Sequence, residues 1–162
     1  MAQITFHTAD IKFRLLNVRK YADFIAVQVK KATGGKVVLT YVFCSDKYLL
    51  EMNKQFLQHD YYTDIITFDL GEKSSGSKSH EPRELNGEIY ISIDRVKENA
   101  AGLNVPFADE LSRVIFHGVL HLLGFKDKTK AQKQQMREAE DAWIRAFRRK
   151  LATKKRLTRK TR

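Results

Sequence analysis

Cysteine is nearly missing from this chain: Cys44 is the only one in 162 residues. One thiol cannot close an internal disulfide or build a cysteine-based zinc knuckle, and such usage fits a reducing compartment. Proline is almost as scarce, with 2 residues, which leaves no Pro-rich linker to divide the chain. Long apolar runs are lacking too. Val114-Ile115-Phe116 and Leu120 to Phe125 are broken by histidine and fall far short of the ~20 residues a bilayer requires. Met1 to Arg14 has no apolar stretch behind a basic start, so no secretory signal is expected. A cytoplasmic protein without membrane contact is the expectation.

What is present is globular: 43% of residues are hydrophobic and 30% charged. This length suits one domain with a real core, assigned to residues 1–150. The net charge of +11 is not evenly spread. Arg145 to Arg162 holds 10 Lys and Arg and no acidic residue; removing those 10 from the 30 in the chain leaves 20 basic against 19 acidic. The body is nearly neutral, and the tail carries the positive field that a polyanion would meet. Residues 151–162 have too little apolar content to bury and are expected to be disordered.

The elements read as an α+β order. Ile4 to His7 is a short strand. A helix over Asn17 to Lys31 carries the stripe Val18, Tyr21, Ala22, Ile25 and Val29 and stops at Gly34-Gly35. Lys36 to Phe43 is a β-branched run, and Ser45 is placed to cap a helix reaching about Leu57. Asp64 to Leu70 and Gly87 to Ile93 read as strands, separated by a polar, mobile loop over Gly71 to Asn86. Helices follow over Asp94 to Leu103 and Asp109 to Leu123. A last one opens on the capping box Thr129-Lys-Ala-Gln132 and carries the stripe Met136, Ala139, Trp143, Ala146 and Phe147. Four strands and five helices in mixed order make a small sheet covered by helices.

The segment with chemistry is His117-Gly-Val-Leu-His121-Leu-Leu-Gly124-Phe-Lys-Asp127. Two His at i and i+4 of a helix share one face, so both imidazoles can reach one ion. Gly124 can end the helix in a left-handed residue, and that reversal can bring Asp127 back to the pair. Two nitrogen ligands and one oxygen leave a position open for a metal-bound water, as catalytic zinc sites do. Without a third ligand, a His pair on an apolar helix is more often a core or capping feature. A peptidase of this type has Glu directly after the first His as its general base; Gly118 stands there, which disfavours a minimal metallopeptidase.

At these residues the chain resembles the YbeY family of metal-dependent, single-strand-specific endoribonucleases. His117-Gly118-x-Leu120-His121-Leu122-x-Gly124 is similar to the family's metal helix. Asn53-x-x-Phe56 with Asp60-x-x-Thr63-Asp64-Ile65-Ile66-Thr67-Phe68 resembles its second block, and Gly87-Glu88-Ile89-Tyr90-Ile91-Ser92 its third. The resemblance covers about Phe43 to Trp143. It implies a mixed-sheet α/β fold, one divalent ion (zinc or similar), and a role in ribosomal RNA processing and ribosome quality control. The implied partners are ribosomal RNA, the small ribosomal subunit and assembly factors; the sequence sets no oligomeric state. Two positions depart from the family pattern. Asp127 stands where a third His is usual, a harder ligand that also admits Mn²⁺. Leu57 replaces an Arg suited to gripping phosphate.

His59 and Asp60 lie beside Leu57. His59 is a candidate for proton transfer or phosphate contact, although an isolated surface His is usually only solvated. Asp60 and Asp64 also read as turn residues, and Thr63 as a strand cap. In the tail, Arg148-Arg149-Lys150 and Lys154-Lys155-Arg156 are candidate RNA contacts, or cations at a helix C-terminus. An ion in this site would polarise a phosphate oxygen and bring the pKa of its water toward neutrality. It would otherwise assist attack by the RNA 2′-hydroxyl. The rival reading from another class is a non-catalytic RNA- or ribosome-binding factor whose metal only fixes the fold.

Overall fold

The computed structural model describes residues 2–72 and 81–160, with side chains through Thr153. Its elements are β1 (Ala2–Thr8), α1 (Val18–Thr33), β2 (Gly34–Cys44), α2 (Asp46–Leu57), β3 (Ile65–Asp69), β4 (Arg83–Ser92), α3 (Ile93–Leu103), α4 (Phe107–Leu122) and α5 (Lys130–Lys160). The four strands form one mixed sheet in the order β1-β2-β4-β3. The first three run parallel, and β3 returns antiparallel to β4 with Ile65 opposite Ile91.

Parallel neighbours need a crossover, and α1 supplies the one between β1 and β2. The period of two along β2 buries Val37, Leu39, Tyr41 and Phe43 on one face, level with Leu85, Ile89 and Ile91 of β4. Helices α1, α4 and α5 pack on that face, where Tyr21, Phe24, Phe116, Trp143 and Phe147 form an aromatic cluster. The Tyr41 hydroxyl donates to the carbonyl of Ile115 at 2.9 Å, fixing α4 against the sheet. Helix α2 covers part of the other face through Cys44, Leu49 and Ile66.

Local chemistry sets most boundaries. The Ser45 hydroxyl accepts from the Tyr48 amide at 3.1 Å. The capping box at the start of α5 is closed in both directions. The Gln132 amide donates to the Thr129 hydroxyl, and the Thr129 amide donates to the Gln132 side chain, each at 3.1 Å. Several boundaries differ from the sequence expectation, among them β1, which begins at Ala2, and β2, which takes in Gly34 and Gly35. β4 begins at Arg83, not Gly87, because Leu85 pairs with Val37 and is buried, so polar neighbours on either side join the ladder. α4 begins at Phe107, directly after Pro106, instead of Asp109. α5 continues to Lys160, into the stretch 151–162 for which the composition predicts disorder. Residues 73–80, within the expected mobile loop, lie outside the described residues. Among the described residues no helix is long and apolar enough to cross a membrane.

Candidate metal centre

Helix α4 is apolar nearly all round, and its C-terminal two turns present His117 and His121 at the edge of the core. Their rings lie 4.7 Å apart, centroid to centroid, at an interplanar angle of 81°. The helix then ends in a Schellman turn. The Phe125 amide donates to the Leu120 carbonyl and the Gly124 amide to the His121 carbonyl, each at 3.0 Å. Gly124 has φ 105°, which a residue with a β-carbon adopts only under strain. The chain therefore reverses and returns Asp127 to the two rings. Asp127 Oδ2 lies 3.5 Å from His117 Nε2 and 3.3 Å from His121 Nε2.

One ligand atom from each of these residues falls within 4.8 Å of the other two. Ligands at about 2.1 Å from a tetrahedral ion are separated by roughly 3.4 Å, so the two histidine-to-carboxylate spacings fit a shared cation. The donor set, two imidazoles and one carboxylate, is one that zinc accepts. Gly118 explains the missing peptidase base. A β-carbon there would lie 2.9 Å from Ile89 Cδ1 and 3.1 Å from Ile65 Cδ1. The position faces the sheet, with no room for a carboxylate.

Behind His117 stands a second layer. Its Nδ1 lies 2.8 Å from Oε2 of Glu140, which is 4% exposed. Glu140 Oε1 accepts from Arg113 Nη1 at 3.0 Å, and Arg113 Nη2 donates to Asp141 at 2.8 Å. A carboxylate on Nδ1 fixes a proton there and leaves Nε2 as the lone pair that faces Asp127. Burial works against the charged imidazole. The hydrogen bond and charge of Glu140, with the charges of Asp127 and Asp64, outweigh burial and raise the His117 pKa above 6.5.

The trio opens on a cleft of about 490 Å³ along the free edge of β3, bounded by the end of α2 and the connection from α2 to β3. His59 and Leu57 line it. His59 is exposed, and its Nδ1 lies 2.7 Å from the Tyr61 hydroxyl. Where an Arg is usual in the resembled family, Leu57 gives this cleft an apolar wall. Asp64 also lines it; its Oδ2 accepts from Asn99 Nδ2 at 3.3 Å, and burial raises its pKa against the opposing charge of His117. Asp60 instead points to Lys54, 3.5 Å away on the surface. Thr63 donates its hydroxyl to the Ile65 carbonyl at the start of β3, as a strand cap would.

Of the basic candidates, Arg148 is paired at 2.7 Å with Asp109, in the first turn of α4 and so at the opposite end of that helix from the histidines. Arg149 is exposed and Lys150 half-buried; the side chains of Lys154, Lys155 and Arg156 lie outside the described residues. Sequence reasoning missed Glu140 and Arg113, and gave Asn53 only as part of the resembled second block, with no role. The available signal for Glu140 was an acidic residue on the buried stripe of α5, four residues after Met136 and four before Ile144.

Fold and site together define a small α+β protein with a candidate three-residue cation site built on one helix and the turn that ends it. A family model described as "Endoribonuclease YbeY" matches residues 3–148. The chain is 45% identical over 139 residues to the endoribonuclease YbeY of Cytophaga hutchinsonii, covering 86% of this chain and 92% of that protein. It is 43% identical over 141 residues to that of Porphyromonas gingivalis, covering 87% of each. The solution structure of TM1509 from Thermotoga maritima matches with a TM-score of 0.62 at 25% identity, over 95% of this chain and 93% of that one. This chain belongs to the endoribonuclease YbeY family.

Proposed function

We infer that this protein is a cytoplasmic, metal-dependent endoribonuclease that cuts single-stranded RNA. Its substrate in the cell is ribosomal RNA, met on the small ribosomal subunit alongside assembly factors. The observation that supports this most is the meeting of His117, His121 and Asp127 at one point of an open cleft. In this reading those three residues hold one divalent cation, with zinc the first choice for such donors. When bound, the cation supplies Lewis-acid polarisation of a phosphate oxygen and a lowered pKa for water.

The remaining work falls to side chains of the chain itself. Glu140 and Arg113 keep the His117 ring turned with Nε2 toward the ligand position. His59 has Nδ1 engaged by Tyr61, so its Nε2 is the atom free to take or give a proton at the cleft mouth. Asp64, with its pKa raised by burial, is a second group there able to hold a proton closer to neutral pH than an ordinary carboxyl. An assay on paired single-stranded and duplex RNA tests the function. The single strand should be cut internally, chelator should stop cleavage, and added zinc should restore it. Cleavage that persists after the cation is removed contradicts the proposal.

The basic end of α5, with Arg149, Lys150, Lys154, Lys155 and Arg156, binds RNA phosphates in the same reading. Truncation after Phe147 should weaken RNA binding at low salt. The slope of log K against log salt should flatten by about 0.7 for each phosphate that the shortened chain no longer neutralises. An unchanged slope would assign that segment to solubility alone.

A further inference from the structure

The connection between α2 and β3 places two rings in the open. His59 and Tyr61 are both exposed and lie face to face, 5.0 Å between centroids with an interplanar angle of 25°. Exposed aromatic rings are ordinarily free to move, but these are held. The Tyr61 hydroxyl bonds to His59 Nδ1 at 2.7 Å. Beneath them is Asn53, 2% exposed. Its side-chain amide donates to the Tyr61 carbonyl at 2.8 Å. Its own carbonyl accepts from the amides of Gln58 and His59. Asp60, between His59 and Tyr61 in sequence, lies 3.5 Å from Lys54 on the surface. Asn53 thus holds both ends of the His59-Asp60-Tyr61 step, the first through its backbone carbonyl and the second through its buried side-chain amide.

The pair lines the same cleft as His117, His121 and Asp127. A fixed, solvent-facing aromatic surface beside a phosphodiester-cutting centre suits one kind of occupant. The faces of unpaired bases are free to stack on side chains, whereas bases within a duplex already stack on one another. Leu57 adds an apolar wall on the same side.

We propose that the His59–Tyr61 pair is a stacking platform, on which an unpaired nucleobase next to the scissile phosphate lies against the Tyr61 ring. This rests on the endoribonuclease reading above, and it gives that reading a structural source for discrimination against duplex. Tyr62 is the internal contrast. It is equally exposed, but its ring lies under Arg95, 5.0 Å from the guanidinium carbon, and it does not line the cleft.

The test uses the metal-loaded full chain and a short single-stranded 2′-O-methyl oligoribonucleotide carrying 2-aminopurine, with a gel run to verify that it stays intact. One stacked base is worth about 1–3 kcal/mol, a factor of roughly 5 to 150 in affinity. Tyr61→Leu should weaken binding by a factor in that range and abolish the quenching of 2-aminopurine. Tyr61→Phe, which keeps the ring but loses the bond to His59, should keep the quenching and weaken binding less than Tyr61→Leu, and Tyr62→Leu should match the parent. An abasic oligonucleotide should bind parent and Tyr61→Leu alike. Metal content equal to the parent's certifies that Tyr61→Leu is folded. If Tyr61→Leu binds and quenches as the parent does, the platform is overturned while the nuclease reading stands. If the parent binds no single strand at all, both are overturned.

Discussion

Replacing His121 with Ala should leave a folded protein that no longer retains a divalent cation and no longer cleaves RNA. His121 is a third exposed, at 33%. Among the described residues its ring makes one ion-pair contact, to Asp127 at 3.3 Å, and packs edge-on against His117. Removing the ring opens no core cavity and strands no buried partner, so stability without metal should change by less than about 1 kcal/mol. The effect on the ion is large. If three ligands share roughly 12 kcal/mol of binding, losing one weakens affinity by on the order of 10³-fold. Chelator competition reads that constant directly, and cleavage should fall to the chelator-treated background. His117→Ala should match it in metal loss but cost more in stability, about 1–3 kcal/mol, because it leaves Glu140 buried without its histidine.

Glu140→Gln should show the second-largest effect, with a signature that a purely structural role would not give. The carboxylate both orients His117 and raises its pKa. Substitutions behind a ligating histidine typically reduce metal affinity about 10- to 100-fold, and that loss should appear on the alkaline side of the His117 titration, where the ring is neutral in both proteins. The pH dependence should move the other way. Metal must displace a proton from Nε2 wherever His117 is charged, so a raised pKa costs affinity on the acid side. The variant's lower pKa should carry its binding plateau to lower pH. For the metal-free protein the sign follows from linkage. A histidine whose folded pKa lies above 6.5 adds stability in full below that value, and the contribution disappears as pH rises through the folded pKa. The stability gap between parent and variant should therefore be widest below pH 6.5 and narrow as pH rises through the folded pKa of His117. A gap independent of pH, with unchanged metal affinity, would reduce Glu140 to a packing partner of Arg113.

The His117–Asp127 cluster was the most legible part of the sequence for a physical reason. Its residues are spaced by helix geometry, and the glycine that turns the chain is local, so His117, His121, Gly124 and Asp127 lie within 11 residues. Ser45 and Thr129 were readable as caps on the same ground. Glu140 was not readable. Its partner is 23 residues away on another helix, and a count of apolar positions along α5 passes over a charge even when that charge occupies the buried stripe. The start of β4 was hidden similarly. Arg83, Glu84 and Asn86 look like loop, and pairing with β2 across the sheet overrides their local preference. The connection from His59 to Tyr61 reads as polar surface until Asn53 is seen beneath it.

All of this depends on whether two imidazoles and one carboxylate meet on a single ion. X-ray absorption on the zinc-loaded protein measures that coordination directly. It should find one zinc per chain with two imidazole nitrogens at about 2.0–2.1 Å, completed by oxygen at about 2.0–2.2 Å, and one nitrogen fewer in His121→Ala. A first shell without imidazole, or one that His121→Ala leaves unchanged, would contradict the account.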